Sequence, residues 1–248
     1  MRLKGKRVNV MKADAILFDK DGTLLDFDSF WVAVSRKAVE EVLTELGRTD
    51  IPVSEFLTAF GVHDGVTDLD SVLCKGTYEQ LGQIVHGILA GHGCHISCDE
   101  AVKLAVKAYN ANADAGHIRP TCPDLAEVLT ALKKQNKKLA VVTTDNEEIT
   151  RTCLEKLGIA HLFDKIYTDD GKTPPKPDPC CANDFSSRTG VKKEHMVMVG
   201  DTMTDVRFAR NSGIAVVGVA KTDHNRAALA PYADAVITDV SALLDIVN

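Results

Sequence analysis

The sequence predicts an α/β fold: a parallel sheet with helices on both faces, plus an α-helical insertion after the first strand. Two observations lead there. Short apolar runs rich in β-branched residues recur, AILFD from 15, KLAVVTT from 138, KIYTD from 165, HMVMVGD from 195, IAVVGVA from 214 and AVIT from 235. Continuous rather than alternating hydrophobicity marks strands buried on both faces. Helical patterns separate these runs in the second half, and alternation of strand with helix calls for parallel strands joined by crossovers.

Taken in order, AILFD opens the sheet and ends in the acid pair Asp19 and Asp21. From 28 to 117 the texture changes. Phe30, Val34, Ala38, Val42 and Leu46 repeat every four residues; Tyr78, Leu81, Ile84, Val85 and Ile88 mark a second helix; Ala101, Leu104, Ala105 and Ala108 mark a third. The expected division is therefore residues 1–27 and 118–248 as the α/β core and 28–117 as an α-helical insert. Because the insert emerges directly after the acidic turn, it is expected over the strand's carboxyl end, where open α/β sheets bind ligands. In TCPDLAEVLTALKKQNK, Leu125, Val128, Leu129 and Leu132 share one helical face, and TDVRFARNSG is a helix closed by Gly213.

Composition narrows the function. A chain of 248 residues that is 45% apolar has material for one sizeable core and a second, smaller one. A formal net charge of -6 gives no basic footprint for a phosphate backbone, so nucleic acid is not expected as a partner. The basic start MRLKGKRVNV lacks the apolar stretch of a signal peptide, and no apolar run is long enough to cross a bilayer. Seven scattered cysteines do not form a secreted disulfide framework, which points to reduced thiols and the cytoplasm. GHGCHISC offers His92, Cys94, His95 and Cys98, but their spacing matches no common zinc signature and a turn before a helix is the better reading. The neighbours Cys180 and Cys181 read as packing or surface residues.

The strand ends concentrate the chemistry. AILFD ends at Asp19 and Asp21, LAVVT at Thr143, and MVMVGD at Asp201, with Asp205 one helical turn further on. In a parallel sheet these ends share one edge, so carboxylates gather in one crevice. Their mutual repulsion calls for a hard divalent cation with oxygen ligands, and Mg2+ fits best because it keeps positions open for water and substrate phosphate. A phosphate ligand would also want a lysine, and GKTPPKPDP offers Lys172 and Lys176, the latter held between prolines. Gly22 lets the backbone turn so that both acids face one point. Taken singly, an acid at a strand end, such as Asp145 or Asp170, is commonly a cap or turn residue. The ordered combination is what signals a site.

DKDGTLLD resembles the first motif of the haloacid dehalogenase superfamily, VVTT its second, KPDP its third and GDTMTD its fourth. The resemblance covers essentially the whole chain and implies a Rossmann-like core, with the insert similar to the cap of the phosphoglycolate phosphatase-like branch. It implies Asp19 as nucleophile, Asp21 as general acid and base, and Thr143 and Lys176 as phosphate holders, helped by backbone amides around Lys20 and Thr144. For the metal it implies Asp19, Asp201 and the backbone carbonyl of Asp21, with Asp205 supporting the metal's water shell. The expected activity is Mg2+-dependent hydrolysis of a small phosphomonoester, phosphoglycolate-like or a sugar phosphate, through an aspartyl phosphate.

Departures from the family pattern discriminate among relatives. Dehalogenases of this superfamily lack the second aspartate of the first motif and ion-pumping ATPases carry threonine there, so Asp21 favours turnover by water. Lys20 stands where many relatives have a bulky apolar residue, and Thr144 where asparagine is frequent. IRPTCPD lacks the common Pro-x-Gly turn. A phosphosugar mutase of the same branch and a non-catalytic regulatory module are the alternatives; the intact acid pairs argue against the second. A phosphonate hydrolase would want an activated insert lysine, and Lys37, Lys75, Lys103 and Lys107 show no context for one. Specificity is expected from GVHDGVTDLDSVLCKGTYEQ, read as a mobile loop facing the site, where Lys75 and His63 are the cationic candidates. Removal of the first ten residues, with Met11 a natural start, is expected to leave activity intact.

Overall fold

The computed structural model describes residues 11–68 and 71–248; the expectation for the first ten residues lies outside them. The chain divides into two compact units, one running to Asp26 and resuming at Pro120–Asn248, the other spanning Phe27–Arg119.

The α/β unit opens with β1 (Ala15–Phe18), four residues buried on both sides. The second unit follows and is mostly helical: α1 (Phe27–Glu45), α2 (Val53–Ala59), the antiparallel ribbon β2 (Val62–His63) and β3 (Val66–Thr67), α3 (Val72–Lys75), α4 (Tyr78–Gly91) and α5 (Cys98–Ala111). Ser97 caps α5, and Thr77 with Gln80 forms a capping box on α4, each satisfying backbone N–H groups that a helix start leaves orphaned. Gly82 lets α4 and α5 approach closely, since a Cβ there would sit 2.5 Å from the Val102 Cα. Inside this unit the Tyr109 hydroxyl donates to Ser35 Oγ at 2.8 Å, both side chains being buried.

The described part of the stretch read from sequence as a loop, residues 61–68 and 71–80, contains the short ribbon β2–β3 and α3. Within it, Asp64 and Gly65 take φ of 53° and 80°, the pair of left-handed residues that a tight two-residue hairpin needs. The β3 backbone is then tied back to α1, Thr67 N–H donating to Asp28 Oδ1 at 2.9 Å.

The α/β unit resumes with α6 (Leu125–Lys134), β4 (Lys138–Asn146), α7 (Glu147–Lys156), β5 (Lys165–Asp169), α8 (Cys180–Thr189), β6 (Met196–Gly200), α9 (Met203–Ser212), β7 (Ala215–Val219), α10 (Asp223–Leu229), β8 (Ala235–Ile237) and α11 (Leu243–Ile246). The six strands form one parallel sheet in the order β5-β4-β1-β6-β7-β8. Alternate residues of each strand feed opposite cores, as a two-residue side-chain period requires. Ile16, Phe18, Leu139, Val141, Val197 and Val199 pack with the apolar stripe of α6, Leu154 of α7 and Leu243 of α11. Ala15, Leu17, Ala140, Val142, Met196 and Met198 face Phe185 of α8, Val206 and Phe208 of α9 and Leu229 of α10.

This topology fixes where a ligand can go. From β1 the chain steps to β4 and β5 on one side; from β6 it steps to β7 and β8 on the other. The connections therefore diverge between β1 and β6, and the crevice of an open parallel sheet lies beyond the carboxyl ends of two such strands. Phe18 pairs with Val199 there, so Asp19 and Asp201 leave neighbouring strands almost level.

Candidate active site

Asp19 follows β1, and its backbone N–H donates to Val199 O at 2.9 Å, which keeps it in register with β6 as the strand ends. Asp201 leaves β6 itself, and Asp205 sits in the first turn of α9, where it completes a capping box with Thr202. Asp205 Oδ2 accepts from Thr202 N at 3.0 Å and from Thr202 Oγ1 at 2.7 Å, a helix N-terminus holding a carboxylate in the expected way. The other Asp205 oxygen, Oδ1, accepts from Lys176 Nζ at 2.6 Å, and the same ammonium donates to Asp19 Oδ1 at 2.7 Å. Asp201 Oδ1 accepts from Thr23 Oγ1 at 3.3 Å. Of the two lysines in GKTPPKPDP, Lys176 is the buried one and Lys172 is exposed.

Oxygens of Asp19, Asp201 and Asp205 lie within 4.8 Å of one another, the one group of metal-ligand type among the described residues. Two glycines make this closeness sterically feasible. Gly22, at φ +77°, has Asp201 Oδ2 only 2.1 Å from where a Cβ would stand, and at Gly200 the Asp205 Cγ would be 2.3 Å away. Any side chain at either position would displace a carboxylate.

The electrostatics of the group are unbalanced. Burial pushes the Asp19 carboxyl up to about 7, with Asp205 and Asp21 adding to the shift and Lys176 opposing it. Asp201 is pushed well above the usual carboxylate range by burial and by the charges of Asp19 and Asp205. Burial alone would depress the Lys176 ammonium, yet Asp19 and Asp205 outweigh it and hold the group charged. Three carboxylates against one ammonium leave two negative charges, and the donors are all hard oxygens. A divalent cation of the Mg2+ kind fits that charge and that donor set.

Asp21 is placed differently from its neighbours. Its carboxylate stands outside the three-acid group and faces Lys20, whose Nζ lies 2.9 Å from each of its oxygens. Lys20 is fully buried, and its Nζ is also 3.0 Å from Asp145 Oδ2. Burial would depress this ammonium; the Asp21 and Asp145 charges override it and hold it above the usual lysine range. The Lys20 side chain is thus committed within the protein, and for a phosphate only its backbone N–H remains. Likewise, any part that Asp21 takes in holding a cation falls to its backbone carbonyl.

Thr143 is buried within β4, two residues past the Val141–Phe18 pair and three before the strand ends at Asn146, and its Oγ1 accepts from Asp145 N at 3.2 Å. Thr144 is exposed. Asp170 behaves as the turn residue expected, accepting from Lys172 N and Thr173 N. Asp145, read from sequence the same way, does more. Its Oδ1 accepts from Asn146 N at 2.8 Å, while Oδ2 is the buried partner of Lys20.

Other sequence candidates separate from this group. His92 Nε2 is 3.0 Å from Glu55 Oε2, and His92, Cys94, His95 and Cys98 do not assemble into a metal group. His63 and Lys75 are exposed and do not line the cavity of about 540 Å³ within the helical unit; its polar walls come instead from Asp28, Arg36, Lys37 and His117. Asp28 lies in the first turn of α1, Arg36 and Lys37 near its middle, and His117 close to the end of the unit; of these, Lys37 was weighed from the sequence, as an insert lysine.

Fold and site together define a class: a doubly wound α/β protein with an acid-rich, lysine-bridged centre at its topological switch point. Residues 16–219 match the haloacid dehalogenase-like hydrolase family, and the chain belongs to it. Among curated relatives, a phosphoglycolate phosphatase of Pseudomonas putida is 28% identical over 92% of this chain and 78% of its own length. The pyrophosphatase PpaX of Bacillus velezensis is 29% identical over 85% of this chain and 97% of its own. A solved structure described as a predicted phosphoglycolate phosphatase from Haemophilus somnus superposes with a TM-score of 0.72 at 22% identity, covering 95% of this chain and 98% of the other. No helix among the described residues is long and apolar enough to cross a membrane.

Proposed function

We propose that this hydrolase is a Mg2+-dependent phosphomonoesterase acting on a small phosphorylated metabolite through an aspartyl phosphate on Asp19. The observation that carries the reading is the buried group of Asp19, Asp201 and Asp205 bridged by Lys176 at the β1/β6 switch point. The names of the relatives, phosphoglycolate phosphatase and pyrophosphatase, support a phosphorus centre as the point of attack.

Asp19 and Asp201 would hold the cation with the Asp21 carbonyl, while Asp205 fixes Lys176 and faces the cation's water. Bound there, Mg2+ supplies charge neutralisation for the acids and for the phosphate oxygens. An Asp19 oxygen attacks phosphorus as the bond to the leaving oxygen breaks, and the Asp21 carboxyl gives its proton to that oxygen. The Asp21 carboxylate then takes a proton from water, whose oxygen displaces Asp19 from phosphorus and releases inorganic phosphate. Lys176, Thr143 and the backbone amides of Lys20 and Thr144 would hold the non-reacting oxygens as charge spreads in the transition state. The seven free thiols support a reducing compartment, and with it the cytoplasm.

The test is phosphate release from a panel of phosphomonoesters that includes 2-phosphoglycolate, sugar phosphates and inorganic pyrophosphate, with Mg2+ and with a chelator. Turnover that needs the cation and disappears in Asp19→Asn is expected. Release that survives Asp19→Asn would overturn the assignment.

A further inference from the structure

Lys20 poses a problem that the reaction above leaves unanswered. A fully buried lysine is costly unless it is paired, and here it stands between the two acids of the first motif with a third acid across from it. Its ammonium spans both oxygens of Asp21 at 2.9 Å and reaches Asp145 Oδ2 at 3.0 Å. Asp145 is itself fixed, its Oδ1 accepting from Asn146 N and its own N–H donating to Thr143 Oγ1. Of the other titratable groups around the lysine, Cys153 of α7 also bears on it, as a buried thiol whose pKa burial pushes up to about 11. The chain of contacts therefore runs from Thr143 through Asp145 and Lys20 to Asp21. It fastens the end of β4 to the acid that follows β1.

We infer that Lys20 is a positioning residue: anchored by Asp145, it holds the Asp21 carboxyl away from the Asp19–Asp201–Asp205 group and aimed for proton transfer. Two features of the geometry give such a device something to do. Asp21 is only two residues from Asp19, so nothing in the chain length keeps its carboxylate out of the cation group. A proton donor also has to meet the leaving oxygen within hydrogen-bond reach, which an unrestrained side chain meets only part of the time. The inference rests on the assignment of Asp21 as acid and base.

The test compares Lys20→Met/Asp145→Asn with wild type and Asp21→Asn. The double variant removes one positive and one negative charge together, which avoids the uncompensated buried charge that Lys20→Met alone would leave. Two substrates separate positioning from general damage. p-Nitrophenyl phosphate has a leaving group that departs without a proton, whereas 2-phosphoglycolate needs one. The double variant is expected to form the phosphoenzyme from p-nitrophenyl phosphate at close to the wild-type single-turnover rate. With 2-phosphoglycolate that step should slow by about 10–100-fold, less than the roughly 10²–10⁴-fold of losing the acid altogether, because Asp21 is still present. Because the second step needs Asp21 as base, a stoichiometric burst of nitrophenolate and an accumulated phosphoenzyme should appear with the aryl ester. Asp145→Asn alone should shift the same readouts in the same direction by a smaller factor.

Equal slowing of the first step with both substrates, without a burst, would show a merely structural role and overturn the inference, as would unchanged kinetics in the double variant. Should the double variant fail to fold, Asp145→Asn alone decides: no preferential loss on 2-phosphoglycolate overturns the inference. If Asp21→Asn itself turns over both esters like wild type, the assignment of Asp21 has failed, an outcome recognisable without the Lys20 variants and one that removes the inference with it.

Discussion

Two buried lysines, one following β1 and one between β5 and α8, meet the two acids of the DKD segment, and they serve different charge balances. Lys176 meets Asp19 and Asp205, with Asp201 beside them, and burial, helped by the charges of Asp205 and Asp21, keeps Asp19 raised to about 7 in spite of Lys176. Lys20 meets Asp21 and Asp145, and there the ammonium is held charged by two close carboxylates. The first cluster sets three carboxylates against one ammonium, the second two against one. The contrast teaches that one DKD segment can feed two electrostatic environments: the chain bends at Lys20, whose carbonyl accepts from Leu24 N and Leu25 N, so Asp21 parts from Asp19 instead of sharing its face as i, i+2 residues of an extended strand would.

The largest effect should come from the open cluster. Asp19→Asn is expected to bring phosphate release to background while the fold stays intact, measured as turnover beside a circular dichroism melt. Asp21→Asn should lower kcat by about 10²–10⁴-fold, the span of general acid–base catalysis. If the two substitutions had equal and small effects, the division into two clusters would lose its meaning.

Next comes the steric frame of the open cluster. Gly22→Ala places a Cβ 2.1 Å from Asp201 Oδ2 at a φ of +77°, so Asp201 must move. Weaker Mg2+ binding by isothermal titration is expected, together with a loss of roughly 1–3 kcal/mol of stability for the strained backbone. A retained affinity would mean that Asp201 is not needed where it stands.

The charge imbalance can be read by pH. In the cation-free protein the Asp19 carboxyl titrates near about 7, above its ordinary unfolded value near ~3.9. Between those values the folded state binds more protons than the unfolded one. Stability from this group is therefore present at low pH and lost as pH rises through the folded pKa. Added Mg2+, which relieves the ionised form, should raise Tm more at about pH 8 than at about pH 5. An equal rise at both would place the cation elsewhere.

The smallest effect serves as a control in the helical unit. Tyr109→Phe removes the donor to buried Ser35 and should cost about 1 kcal/mol in a denaturant melt, without changing the Mg2+ affinity.

Much of this arrangement was legible in the sequence. Runs such as AILF and MVMVG announce strands buried on both faces; Asp19, Asp201 and Asp205 could be placed together because parallel strand ends share an edge, and Lys176 through its flanking prolines and the family resemblance. The Lys20–Asp145 pair was not legible. LAVVT reads as a strand ending at Thr143, whereas β4 runs to Asn146 with its register to β5 broken after Val142. That irregularity turns Asp145 inward, and no periodicity rule foresees it. The hairpin at Val62–Thr67 did carry a signal, the Asp64–Gly65 pair, but its strands of two residues are too short for alternation to show.

Which side chain is phosphorylated tells whether Asp19 is the nucleophile. Asp21→Asn, mixed with Mg2+ and radiolabelled p-nitrophenyl phosphate, quenched in acid and digested, should yield one labelled peptide with the phosphate on Asp19. Label on another residue, or steady phosphate release with no labelled protein at any time point, would contradict it.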